Sequence, residues 1–224
     1  MKHIGIVNVT TVGACICANE IVALASKISR FGEHPEFTLH AFSFSRYREA
    51  LLREDWEGMA QVILESIEKL SLTGVDFVVI PSNTPHFAID DIQAKSPVQV
   101  LSILEITADE CIKRGWKNVA VLGTKFTMLG GLYQKILLEK DVTPVIPPLE
   151  LCERIDDFIM NEIIPSNIDS QSIESIAHDI RQINCDGIIL GCTELPAVFS
   201  EIQLGIPVID TTRLLAQKAL EFAV

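Results

Sequence analysis

The chain has 224 residues, 48% of them hydrophobic, and a formal net charge of −12. That length and apolar content supply one large or two small buried cores, and the negative balance excludes the basic face a nucleic-acid partner would need. A small anionic ligand stays compatible with it, because backbone N–H groups hold anions locally.

Lys2 runs directly into a strand-like segment, with no basic-then-apolar start and no small-residue cleavage site, so no secretory signal is expected. No uninterrupted apolar run reaches the roughly 18 residues of a membrane span, so no membrane partner is expected either. The cysteines are Cys15, Cys17, Cys111, Cys152, Cys185 and Cys192. They form no CxxC pair and the histidines have no zinc spacing, so no metal is expected. They read as reduced thiols of a cytoplasmic protein. Cys15, Cys17, Cys111 and Cys152 read as small buried hydrophobes.

In chain order, the predicted strands are 3–9, 37–43, 76–81, 97–101, 118–123, 142–146, 186–191 and 206–209. Predicted helices alternate with them at about 16–30, 55–71, 86–95, 102–114, 126–140, 149–163, 170–183, 195–200 and 211–223. Runs such as FVVI and GIIL are apolar throughout, which suits strands covered on both faces of a parallel sheet. The alternation is the βαβ pattern of an α/β fold. No low-complexity tract interrupts it.

The chain also repeats itself. DFVVIPS at 76–82 is echoed by DGIILGC at 186–192, which puts Ser82 and Cys192 at matching positions 110 residues apart (192 minus 82). SPVQV at 96–100 is echoed by IPVID at 206–210, and KHIGIVN at 2–8 by KNVAVLG at 117–123. No linker separates the halves, so the boundary is placed by the repeat: a first half over 1–97 and a second over 98–207, with the C-terminal helix of 208–224 returning to the first. A duplicated half can set two equivalent turns against opposite sides of one ligand.

Ligands of open α/β sheets gather at the carboxyl ends of strands. Four predicted exits carry polar clusters: Asn8-Val9-Thr10-Thr11, Ser82-Asn83-Thr84, Gly123-Thr124-Lys125 and Cys192-Thr193-Glu194. These are expected to line one cleft. Cys192 follows a buried strand and precedes a predicted helix start, whose N–H groups would favour a thiolate. Ser82 offers only a hydroxyl, a poor base unless activated, and reads equally as a turn serine. His86 would either orient a group near Ser82 or pack at a helix start. Glu194 would poise the thiol, meet a substrate amine, or serve as a first-turn acid. Arg46 and Lys125 are the basic residues nearest the exits, available for a distal carboxylate or simply solvated.

PSNTPH at 81–86 and GCTELP at 191–196, with LGTKFTM at 122–128, the opening 3–9 and VIDTT at 208–212, resemble the aspartate/glutamate racemase family over nearly the whole chain. The resemblance implies two pseudo-symmetric, Rossmann-like or flavodoxin-like α/β domains with mainly parallel sheets, an active site in the cleft between them, and a homodimer. It implies racemisation of a small amino-acid substrate, aspartate or glutamate, with no cofactor: neither pyridoxal phosphate nor metal. In that family two cysteines flank the substrate Cα; one thiolate removes the α-proton and the other thiol protonates the opposite face. The second cysteine matches Cys192; the first matches Ser82, a departure. Asn83, Thr84, Thr124 and Thr193 match positions that hold the substrate's carboxylate and amino groups, and Asn8, Thr10, Thr11 and Glu194 complete the candidate site. The opening also departs, with VNVT where the family often has a Gly-rich LGGM-like turn. Ser82 then fits a slow or kinetically skewed racemase, a one-thiol decarboxylase of malonate-type diacids, or an engineered replacement that traps substrate. A non-catalytic carboxylate-binding homologue is the reading outside enzymes.

Overall fold

The computed structural model describes residues 1–29 and 33–224; residue 30 of the first predicted helix lies outside them. Contacts divide the chain into two units, one of Met1–Ile106 with Thr212–Val224 and the other of Thr107–Thr211.

The first unit holds a parallel sheet in the order β2-β1-β3-β4, formed by β1 (Ile4–Asn8), β2 (Phe37–Ala41), β3 (Phe77–Val79) and β4 (Gln99–Leu101). Val7, Val9, Val78, Ile80 and Val100 pack with Tyr47, Met59, Ile63 and Ile67 of the helices α2 (Phe44–Leu52) and α3 (Trp56–Ser71). On the other face Phe77 meets Phe222 edge-on, ring centroids 4.8 Å apart. Phe222 belongs to the terminal helix α11 (Thr211–Ala223), whose Ala223 carbonyl accepts from the Lys2 N–H at 2.8 Å. Both faces are therefore covered, which is why the strand residues are apolar without alternation. The helix α1 (Thr11–Ile28) follows β1 and buries Gly13, Ala14, Cys17, Ile21 and Ala25. Its 18 residues average a hydropathy of 1.4, so by length and composition alone it passes as a membrane span, which the expectation from uninterrupted runs did not register. Glu20 and Lys27 break the apolar run. Cys17, Cys111 and Cys152 are buried, but Cys15 is exposed on this helix, against the expectation from sequence.

The second unit repeats the topology as β6-β5-β7-β8, from β5 (Asn118–Leu122), β6 (Thr143–Val145), β7 (Gly187–Leu190) and β8 (Val208–Asp210), again all parallel. Ala120, Leu122, Ile188 and Leu190 pack against Leu151, Ile155, Ile176 and Ile180 of the helices α8 (Leu149–Phe158) and α9 (Ser170–Ile180). The repeated aspartates have a structural task. Asp76 accepts from the His3 N–H at 2.6 Å, and Asp186 accepts from the Lys117 and Asn118 N–H groups at 2.7 and 2.8 Å. Each carboxylate ties the start of one inner strand to the start of its neighbour.

All eight predicted strands are present. The helices differ in detail. The helix α2 was not anticipated. The predicted helix 126–140 is two, α6 (Lys125–Leu129) and α7 (Gln134–Glu139), parted at Gly130-Gly131, with Gly131 at φ +83°. The predicted 149–163 is α8 continued by a π-helical turn at Ile159–Ile163, closed by the Ile164 N–H to the Ile159 carbonyl at 3.0 Å. The predicted 86–95 begins as a 3₁₀ turn, Thr84–Ala88, before α4 (Ile89–Lys95). The remaining helices are α5 (Ile103–Lys113), within which the boundary between units falls, and α10 (Glu201–Leu204).

Candidate active site

In the first unit the exits of β1 and β3 carry the predicted polar residues. Asn8 ends β1 and is buried. Thr10 caps α1 in an extended conformation, yet its hydroxyl makes no cap bond and lies buried without a partner. The first helical bond there is Ala14 N–H to the Thr10 carbonyl at 3.1 Å. The N–H groups of the first turn are thus left without helical acceptors, and no acidic side chain lies in that turn to meet them. Such a terminus suits a carboxylate.

After β3, Pro81 leads into a tight turn closed by the Ser82 N–H to the Ile80 carbonyl at 2.8 Å. Ser82 is half-buried; Asn83 is buried; Thr84 opens the 3₁₀ turn, with Pro85 at a position that needs no N–H. His86 settles between its two readings. Its Nδ1 donates to the Ser82 carbonyl at 2.9 Å and its Nε2 accepts from the Ile103 N–H at 3.3 Å. Burial pushes its pKa down to about 4, so the ring is neutral near pH 7 and cannot serve as an acid there. It fastens the backbone of the Ser82 turn, and both its ring nitrogens are engaged by backbone groups rather than by the Ser82 hydroxyl.

In the second unit the exits of β5 and β7 are drawn together by glycines. Leu122 pairs with Leu190, and the Gly191 N–H reaches the Leu122 carbonyl at 2.7 Å. A Cβ on Gly191 would meet Thr127 Cγ2 at 2.8 Å, and one on Gly123 would meet Thr127 Cβ at 3.0 Å. A side chain at Gly191 would force Thr127 to shift, and one at Gly123 would press tightly on it. Thr124 and Cys192 each lie two residues past the last strand pair, Leu122 with Leu190. Thr124 caps α6 without a side-chain cap bond, its Oγ1 3.4 Å from Thr127 Oγ1, while the Lys125 N–H is taken by Asp156 of α8 at 2.8 Å. Asp156 was not singled out from sequence. It lies 32 residues from Thr124 (156 minus 124), with no spacing signal to connect them.

The Cys192 Sγ donates to Glu194 Oε2 at 3.0 Å, and the Thr193 hydroxyl donates to the same oxygen at 2.6 Å. Burial first, then the Glu194 carboxylate, with Asp156 adding to it, holds the thiol pKa well above its usual value. This corrects the expectation of a helix start that favours the thiolate. Directly beyond Cys192 the chain forms a 3₁₀ turn of three residues, Leu195–Ala197, in place of the expected α-helix start. Glu194 is likewise no first-turn acid of an α-helix; it is the hydrogen-bond acceptor of the motif.

The two basic candidates are occupied. Arg46 pairs with Glu65 at 2.8 Å and lies over the Phe42 ring at 4.1 Å. Glu65 is nine residues along α3 from Trp56 (65 minus 56), or about 13 Å at the helical rise. Trp56 stacks on Phe87 of the Ser82 segment, so Arg46 lies well down the helix from that turn. Lys125 stays at its exit and pairs with Glu153 at 3.2 Å. Among the described residues no three His, Cys, Asp or Glu side chains gather to hold a metal ion.

The Asp/Glu/Hydantoin racemase family matches residues 4–219. The chain belongs to that family. It is 32% identical over 167 residues to the broad specificity amino-acid racemase RacX of Bacillus subtilis (strain 168), covering 74% of this chain and 73% of RacX. It is 27% identical over 154 residues to the glutamate racemase of Aquifex aeolicus (strain VF5), covering 66% of this chain but 59% of that enzyme. The crystal structure of an aspartate racemase homologue from Pyrococcus horikoshii OT3 superposes with a TM-score of 0.87 at 29% identity, over 100% of this chain and 99% of that one. These curated relatives are racemases, and racemases are isomerases. Membership accounts for the two matching sheets and for the GCTE and SNT turns at equivalent exits.

Proposed function

We propose that this protein racemises or epimerises an amino acid, aspartate or glutamate in the first instance, without a cofactor. Cys192 and Ser82 would serve opposite faces of the substrate Cα. The observation that carries the reading is the thiol at the exit of β7, bonded to a carboxylate, in a chain of the racemase family. The α-proton of an amino acid is weakly acidic, so the carbanion needs donors around its carboxylate. The open first turn of α1 with Thr10 and Thr11, together with Asn8, Asn83, Thr84, Thr124 and Thr193, supplies candidates. Ser82 can hand a proton to a carbanion and is a poor base in return, so both directions are slowed; no catalyst moves the equilibrium.

The test is α-proton exchange into deuterated water for both enantiomers of aspartate and glutamate. Exchange at Cα with inversion supports the reading. Carbon dioxide release from substituted malonates without exchange would support the one-thiol decarboxylase instead, and tight binding with no exchange at any pH a non-catalytic binder. A second reading of the substrate is favoured by the ion pairs that occupy Arg46 and Lys125 and by the breadth in RacX's name: an uncharged side chain. The same assay on neutral and basic amino acids separates the two.

A further inference from the structure

Two surface features lie outside the candidate site, and each has what the other lacks. The first is in the second unit, along the seam between α8 and α9. A cleft of about 580 Å³ there is walled by Val145, Ile146, Pro147, Leu151 and Ile183, with Glu150 at its edge. A second cleft of about 480 Å³ adjoins it at Arg154 and carries Asp157, Glu162 and Asp169. Arg154 is the only basic residue in either lining among the described residues, and it is committed: its guanidinium donates to Asp179 and, at 2.7 Å, to Ser175. Glu150, Asp157, Glu162 and Asp169 have no ion-pair partner among the described residues. The seam is thus an apolar groove with an acidic rim. The second feature is α2 in the first unit. It turns Tyr47 and Ala50 inward and leaves Phe44 47% and Leu52 66% exposed. Phe44, Arg48 and Leu52 follow at i, i+4 and i+8, so they share one outward face. That face is an apolar stripe with a cation at its middle, and Arg53 follows at the C-cap.

We infer that α2 of one copy of this protein docks in the α8–α9 groove of a second copy, Phe44 and Leu52 entering the apolar cleft and Arg48 and Arg53 meeting the unpaired carboxylates. Helices that lie in grooves are held by anchors at this spacing. The lengths agree: nine residues of α2 span about 13 Å, and Glu150 to Phe158 along α8, eight residues (158 minus 150), about 12 Å. Charge decides which surfaces meet. Groove against groove would set four unpaired carboxylates against four more, and α2 against α2 would set Arg48 against Arg48, so neither two-fold contact is favourable. In a chain of net charge −12, a surface with exposed apolar residues and a net positive charge is what the acidic rim selects. The contact is therefore heterologous, and each added copy leaves one helix and one groove open, so assembly grows with concentration unless it closes into a ring. It is independent of the racemase reading and uses no residue of the candidate site.

A charge swap read by sedimentation velocity over a concentration series tests this. The unaltered protein should grow beyond its smallest species as concentration rises. Arg48→Glu should weaken that growth by about tenfold or more in dissociation constant, and so should the groove variant Glu150→Lys with Asp157→Lys. Mixed in equal amounts, the two variants should associate again, since the reversed helix of one then meets the reversed groove of the other. Phe44→Ser changes no charge and should weaken the growth by about tenfold as well, which general electrostatic attraction would not produce. All of these positions are at the surface, and thermal melting followed by circular dichroism checks that each variant is folded. A size that does not change with concentration would overturn the contact. So would growth that both charge variants leave intact, a mixture that fails to recover it, or a Phe44→Ser protein that associates as well as the unaltered one.

Discussion

At the scale of single residues, His86 shows how a motif histidine can act through the backbone. Its ring is buried, bonded on one side to the Ser82 carbonyl and on the other to the Ile103 N–H, so protonation would remove the acceptor that Ile103 needs. The folded pKa is about 4 against an ordinary 6.5. Between those values the unfolded chain binds the extra proton, so stability falls as pH falls through that window. The full loss attributable to His86 is about 3 kcal/mol. Denaturant titrations of the protein and of His86→Asn at steps from pH 7 to 4 should show their difference in stability shrinking by that amount. A difference that stays constant with pH would remove His86 as its source. His40, whose pKa is also lowered by burial, adds to the same slope in both proteins and cancels. The sequence showed that PSNTPH was a site-like turn. It could not show which atom of Ser82 the histidine meets, because that depends on where α5 begins, some seventeen residues on (103 minus 86).

Among the elements, the strands were legible because both faces of each sheet are covered, which forces near-continuous β-branched and apolar runs. The helices were less so, for local reasons. The helix α2 reads FSRYREALL and buries only Tyr47 and Ala50, too narrow a stripe to stand out among charges. The Gly130-Gly131 pair divides a segment whose apolar spacing continues across it. On β6 the Thr143 N–H pairs inward to the Lys117 carbonyl, so Pro144 sits where an N–H would point away from β5. A proline there leaves the sheet edge without a donor for a foreign strand. The glycine of DGIIL is equally specific. A Cβ at Gly187 would lie 2.5 Å from the Trp116 ring, and Trp116 is itself buried and next to Arg114. Gly187→Ala should therefore cost about 1–3 kcal/mol through displacement of that ring, read by tryptophan fluorescence during unfolding. Unchanged stability would mean the indole moves aside freely.

For the whole molecule, the repeat in the sequence corresponds to two sheets of one strand order, each with a candidate site turn after its third strand in chain order. The family places the chain among racemases; that Ser82 and Cys192 serve one reaction is the further claim, and a double-substitution cycle tests it. Cys192→Ala should abolish α-proton exchange, since a serine hydroxyl does not ionise near neutral pH. Ser82→Cys should supply a second thiol and raise racemisation in at least one direction, by about tenfold or more. The two changes together should exchange the α-proton of one enantiomer and racemise poorly, because only the face served by the new thiol would then have a base. Residues of one reaction coordinate give non-additive effects, whereas independent residues would give the product of the single effects. If Ser82→Cys leaves every rate unchanged while Cys192→Ala is inactive, Ser82 is a turn residue only. The chemistry would then belong to the Cys192 turn alone.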